Sequence, residues 1–183
     1  MKKRNSKTIL AETLLELARY QTLDKITVKQ IVEESGLSMQ TFYNHFQDKS
    51  ELILYIHKSE GDKNMDALRK GQISFTDMAR KNLDFYLEHK DYMANAISNS
   101  PASNPYLRQI ADTTLAVMEH YFQNQLGLDP IPEEIDFDLR MYVNALVALY
   151  GDLALGRLSM PNEKFLDYLH NGMPPKLRTY LLP

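Results

Sequence analysis

Cysteine is absent from the 183-residue chain, which excludes disulfides, thiol chemistry and cysteine-ligated metal. Tryptophan is absent too, and glycine and proline number only 7 and 8. No apolar run reaches the ~18–20 residues needed to cross a bilayer, so no membrane partner is expected. The start, Met1-Lys2-Lys3-Arg4-Asn5-Ser6-Lys7, is basic, but no uninterrupted apolar stretch follows it. It does not read as a signal peptide, and the cytoplasm is the expected location. Catalytic signatures are missing as well: there is no P-loop, no Gly-x-Gly-x-x-Gly and no Gly-x-Ser-x-Gly. His57, His89, His120 and His170 lack the spacing of metal ligands. Glu133, Glu134, Asp136 and Asp138 suit the positive end of a helix dipole better than paired acid–base work. An enzyme, a metal site and a cofactor are therefore not expected.

What is present is 44% apolar and 25% charged residues, enough apolar material for a sizeable core. The net charge of −3 is unevenly spread. Residues 1–58 hold 9 Lys/Arg against 7 Asp/Glu, and the remainder 12 against 17. The basic excess includes Lys2, Lys3, Arg4 and Lys7, which suits either a solvated tail or an arm reaching nucleic acid. Few stretches alternate with period 2, and Gly and Pro fall between segments of helical period, so the chain reads as all-α.

Helices are predicted over 5–21, from Thr27 to Ser35, over 39–46, and over about 48–68. Thr76 is the expected cap of a further helix to His89, and Asp91 of the next, to Ser98. Residues 98–105 read as a loop. Long helices follow over 106–126 and 133–158, then a short one to His170. Gly172-Met173-Pro174-Pro175 reads as the end of regular structure. Two capping boxes are expected, Thr27 with Gln30 and Asp48 with Glu51, and Gly36 suits a left-handed helix end.

The informative stretch is TVKQIVEESGLSMQTFYNHFQDKSEL, residues 27–52. Two short helices joined at Gly36 make a helix-turn-helix, in which the first braces the second against the major groove. At about 100° per residue, Met39, Gln40, Tyr43 and Asn44 share one face of the second helix, while Phe42 and Phe46 turn inward with Leu37. Side-chain amides pair bidentately with adenine, and apolar atoms touch thymine methyls. The same pattern also suits an ordinary amphipathic hairpin with a solvated polar face.

Gly36-Leu37-Ser38, Thr41-Phe42-Tyr43-Asn44-His45-Phe46 and Asp48-Lys49-Ser50-Glu51-Leu52 resemble the TetR family of bacterial transcriptional regulators, over roughly residues 5–56. The resemblance implies an N-terminal three-helix helix-turn-helix domain (residues 1–50) and a C-terminal helical dimerisation and ligand domain (51–183). It implies double-stranded operator DNA as partner. Met39 and Gln40 would meet base edges, with Ser38 and Asn44 on the same surface. Thr41, Tyr43 and His45 would hold phosphates, joined by Lys49 at a helix start and Lys29 on the bracing helix. Met39-Gln40 lacks the basic residue that many members carry here, which favours A·T-containing positions.

In the C-terminal part, Tyr142, Leu146, Leu149 and Leu153 form one stripe, and Ala145, Ala148, Asp152 and Gly156 a smaller-residue one. Burial on two sides suits a homodimer, with Phe165, Leu166 and Leu169 completing a four-helix interface, or a central helix of a monomer. Tyr86, Met93, Met118, Tyr121, Phe122, Tyr142 and Asn144 are candidate ligand-binding residues. Each aromatic also suits a plain core, and Asn144 an interface. The expected function is a repressor released from a palindromic operator by a small-molecule effector. The alternative is a co-regulator or activator whose C-terminal domain docks a protein partner and has no such pocket. A closed, ligand-sized cavity among Tyr86, Tyr121 and Tyr142 would favour the first, and a solid core with a large exposed apolar patch outside the dimer interface the second.

Overall fold

The computed structural model describes residues 5–100 and 105–182. Ten α-helices and no strand occur among them. The N-terminal unit is α1 (Ser6–Leu17), α2 (Val28–Ser35) and α3 (Met39–Tyr43). α1 ends earlier than its apolar pattern suggests, because the chain tightens into successive turns from Ala18 to Gln21. Thr27 Oγ1 accepts the Gln30 amide at 3.1 Å and opens α2. Gly36 closes α2 at φ +67°, a conformation that costs other L-residues about 1 kcal/mol or more. Ser38 Oγ then accepts the Thr41 amide at 3.1 Å and opens α3.

α4 (Lys49–Arg69) begins where Asp48 Oδ1 accepts the Glu51 amide at 2.9 Å. The Glu51 carboxylate reaches back to the Gln47 amide at 2.6 Å, one residue beyond the reciprocal partner expected of a capping box. Gly61 does not interrupt α4. This helix packs on α1 at one end and on the later helices α5 (Phe75–Glu88) and α7 (Tyr106–Asn124) further along. It joins the two parts of the molecule as one rod. Ser74, not Thr76, caps α5, in a reciprocal box with Asp77. α6 (Lys90–Ser98) follows with Asp91 in its first turn. Of the expected 98–105 loop, Pro101–Asn104 lie outside the described residues, as do Lys2, Lys3 and Arg4.

α8 (Glu133–Ala154) packs on α5, α6 and α7. Gly151 lets it approach α7 closely: a Cβ there would stand 2.8 Å from Leu107 Cδ1. α9 (Asn162–Gly172) completes the wall beside α5. The expected end at Pro174-Pro175 is instead the start of α10 (Pro175–Leu181), which lies on α8. Proline at the first helical position forfeits no hydrogen bond and presets φ, so it opens a helix as readily as it ends one.

Candidate nucleic-acid interface and internal cavity

Phe42 and Phe46 root α3 in the core at ring-centroid separation 5.8 Å, beside the buried Leu10, Leu14, Ile31 and Leu52. Phe46 also meets Tyr55 of α4 at 5.3 Å, and Lys7 lays its ammonium over both rings at 5.6 and 5.4 Å. Lys7 thus anchors α1 to the aromatic cluster, an arrangement that its place in a basic tail did not reveal.

With the root fixed, the opposite face of α3 is held outward. Met39 is 41% exposed and Tyr43 53%, although both are large residues that would normally be covered. Gln40 and Asn44 are exposed beside them, and Gln40 Nε2 donates to Asn44 Oδ1 at 2.8 Å. This orients both amides on one surface. Ser38 and Thr41 hydroxyls are 2.9 Å apart at the start of the helix, and His45 sits half-buried against the Phe46 ring. Lys29 is exposed, paired only loosely with Glu33 at 3.7 Å. Such a surface pair contributes little and yields readily to a stronger anion.

Lys49 departs from its expected role. Its ammonium donates to the carbonyls of Leu23 and Ile26, the latter at 2.6 Å, and so fastens the α1–α2 connection to α4. Burial pushes its pKa down, partly opposed by nearby Asp24. Two carbonyl acceptors already take the charge that the sequence assigned to a phosphate.

A cavity of about 100 Å³ lies among α4, α5, α7 and α8. Tyr86, Met118 and Tyr142 line it as expected, together with His57, Met65, Met78, Leu139 and Tyr150. Tyr86 stacks on Tyr150 at 4.7 Å and meets the His57 ring edge-on at 5.7 Å. Burial pushes the His57 pKa down to about 4, so the ring is neutral at neutral pH, and it raises that of Tyr86. The other four expected residues are elsewhere. Met93 is buried under α7, where its sulfur takes the Tyr106 hydroxyl at 3.8 Å. Phe122 lies against Tyr180 of α10 at 5.8 Å, and Tyr121 is half-buried beside it. Asn144, about 200° round the helix from Tyr142, is exposed and donates to the Arg140 carbonyl at 2.8 Å.

α8 also carries an outward apolar face. Phe137 is 66% exposed and Met141 52%, in line with the exposed Ala145, Ala148 and Leu149. Tyr168 of α9 is also 55% exposed. Phe165, Leu166 and Leu169, expected at an interface, are buried within the single chain, where α9 packs on α5. Gly156 lies past the end of α8, and Asp152 pairs with Arg157 at 3.7 Å. No helix among the described residues is long and apolar enough to cross a membrane.

A braced helix that exposes amides and a phenol beside a wholly helical second part is the build of a DNA-binding transcriptional regulator. Residues 11–56 match the sequence model of the bacterial regulatory proteins of the tetR family. A curated relative, an HTH-type transcriptional regulator of Staphylococcus aureus (strain MRSA252), is 23% identical over 154 residues, spanning 81% of this chain and 82% of the relative. Among solved structures, a TetR transcriptional regulator from Rhodococcus sp. RHA1 superposes with TM-score 0.65 at 17% identity, over 93% of this chain and 96% of the other. The dihydroxyacetone kinase operon activator DhaS does so with TM-score 0.60 at 17% identity, over 94% and 96%. These structural likenesses extend the shared fold over nearly the whole chain.

Proposed function

We propose that the protein is a homodimeric repressor that binds a palindromic operator and is released by a small-molecule effector. The observation that carries the reading is the outward face of α3, where Met39, Gln40, Tyr43 and Asn44 stand exposed over a buried Phe42–Phe46 root. Met39 and Gln40 read base edges, with Asn44 beside them. Ser38, Thr41, Tyr43, His45 and Lys29 hold the phosphates on either side. The amide and thioether suit adenine and the thymine methyl, so A·T pairs are expected at the positions that α3 touches. The exposed face of α8 with Tyr168 supplies the dimer contact, and two copies of α3 about one DNA turn apart demand a palindrome.

The cavity favours effector release over docking of a protein partner, since a domain used only for docking needs no internal space beside α4. A ligand acts only through different affinities for the two states, and α4 connects the cavity wall directly to the DNA-binding unit. Cytoplasmic location follows from this reading. The test is selection of sequences from a random duplex library by the full chain. The expected product is an inverted repeat with half-sites about 10 base pairs apart. A single unpaired half-site, or no enrichment, would overturn the dimeric operator reading.

A further inference from the structure

The cavity among α4, α5, α7 and α8 carries chemical information about what it binds. This inference rests on the effector reading above. Its walls are apolar and aromatic, and the charged groups at its rim are not free. Lys58 and Asp62 are bonded to each other at 2.6 Å. An ion inside would meet no unpaired counter-charge, and an unpaired buried charge is far more costly than a buried hydroxyl.

The polar groups facing the cavity divide sharply. Tyr142 donates to the Leu169 carbonyl and Tyr150 to the Ala79 carbonyl, each at 3.2 Å. Asn82 accepts from Asn64 at 2.8 Å, and Thr113 donates to the Gln109 carbonyl at 2.8 Å. His57 is different. Its Nδ1 is removed from solvent and without a hydrogen-bond partner among the described residues. The Tyr86 side chain lines the cavity and is only 3% exposed. The two rings touch. Buried polar groups are nearly always satisfied, so the orphaned His57 nitrogen, beside the Tyr86 ring on one cavity wall, calls for an occupant that satisfies it.

We propose that the cavity takes an uncharged, single-ring apolar molecule bearing a hydroxyl, hydrogen-bonded by the Tyr86–His57 pair. A hydroxyl both donates and accepts, so it meets the tyrosine hydroxyl and either tautomer of the neutral imidazole. An apolar cavity of about 150 Å³ accepts benzene, so at about 100 Å³ these walls must give way to admit a ring. Met65, Met78 and Met118, on three of the surrounding helices, adjust more readily than branched residues to admit a ring.

The test titrates the full-length chain, without DNA, with phenol, toluene and benzoate, by calorimetry and thermal shift. Phenol is expected to bind about tenfold more tightly than toluene, the difference made by one satisfied hydrogen bond, and benzoate not at all. In Y86F or H57F the preference for phenol falls to near unity while toluene still binds, which shows the cavity intact. Toluene binding as well as phenol, benzoate binding best, no probe binding, or a preference that survives both substitutions would each overturn the proposal. The effector reading is separable. Phenol binding that leaves operator affinity unchanged would contradict effector release while leaving the cavity assignment standing.

Discussion

Lys29 and Lys49 have the same chemistry and opposite surroundings, and residue-scale behaviour follows from that contrast. Lys29 is exposed and loosely paired, so Lys29→Ala should lower the slope of log affinity against log salt by about one and leave thermal stability unchanged. Lys49 is tied to the Leu23 and Ile26 carbonyls, so Lys49→Met should cost about 1 kcal/mol of stability and leave the salt slope nearly unaltered. Denaturant melts paired with salt titrations separate the two, and exchanged outcomes would contradict these positions. His57 gives a pH signature. The unfolded chain protonates it near 6.5 and the folded chain only near 4, because burial disfavours the charged ring. Between those values the unfolded state holds the extra proton, so stability falls as pH falls, by on the order of 3 kcal/mol in all. Carboxylates titrate in the same range, so the measurement is the difference between wild type and His57→Gln, whose profile should be flatter from pH 6.5 to 4. Identical profiles would place His57 in water.

Among the elements, legibility followed the local rules. Thr27, Ser38 and Asp48 open their helices by accepting the amides that their spacing predicts, but the reciprocal half of the boxes expected at Thr27 and Asp48 does not form. Gly36 ends α2 in the left-handed region. Gly36→Ala should therefore destabilise by about 1 kcal/mol, and Gly36→Asn by less, in chemical denaturation. Equal stability of all three would mean that the turn tolerates a different backbone. The misreadings are equally local. Ser74-Phe75-Thr76-Asp77 is a capping box that starts two residues before the threonine assigned as cap. Pro175 was read as a terminator where it initiates α10, and only the apolar surface of α8 awaiting cover distinguishes the two uses. The inward turn of Lys49 had no signal at all, because the acceptor carbonyls belong to a connection 23 and 26 residues away.

For the whole molecule, the family resemblance is visible in residues 27–52, since that hairpin is built from adjacent residues, and the all-helical plan in the helical periods along the chain. The cavity was legible only in part. Of the seven candidate residues Tyr86, Met118 and Tyr142 line it and Met93, Tyr121, Phe122 and Asn144 do not, because four helices from distant parts of the chain define its walls. Periodicity orients a side chain on its own helix but does not say which neighbour it will face. The outward α8 face yields a molecular prediction. Met141→Glu should convert a dimer to a folded monomer in analytical ultracentrifugation, with helicity by circular dichroism retained. A persistent dimer would place the contact elsewhere.

The most direct test of the central claim is binding of the full-length protein to duplex DNA, including its own upstream region, across a salt series, for wild type and Tyr43→Ala. Palindrome-selective binding that weakens steeply with salt and falls at least tenfold in the variant, a loss of about 1.4 kcal/mol, is the predicted result. Affinity no greater than for random DNA, or full affinity without Tyr43, would contradict operator reading by α3.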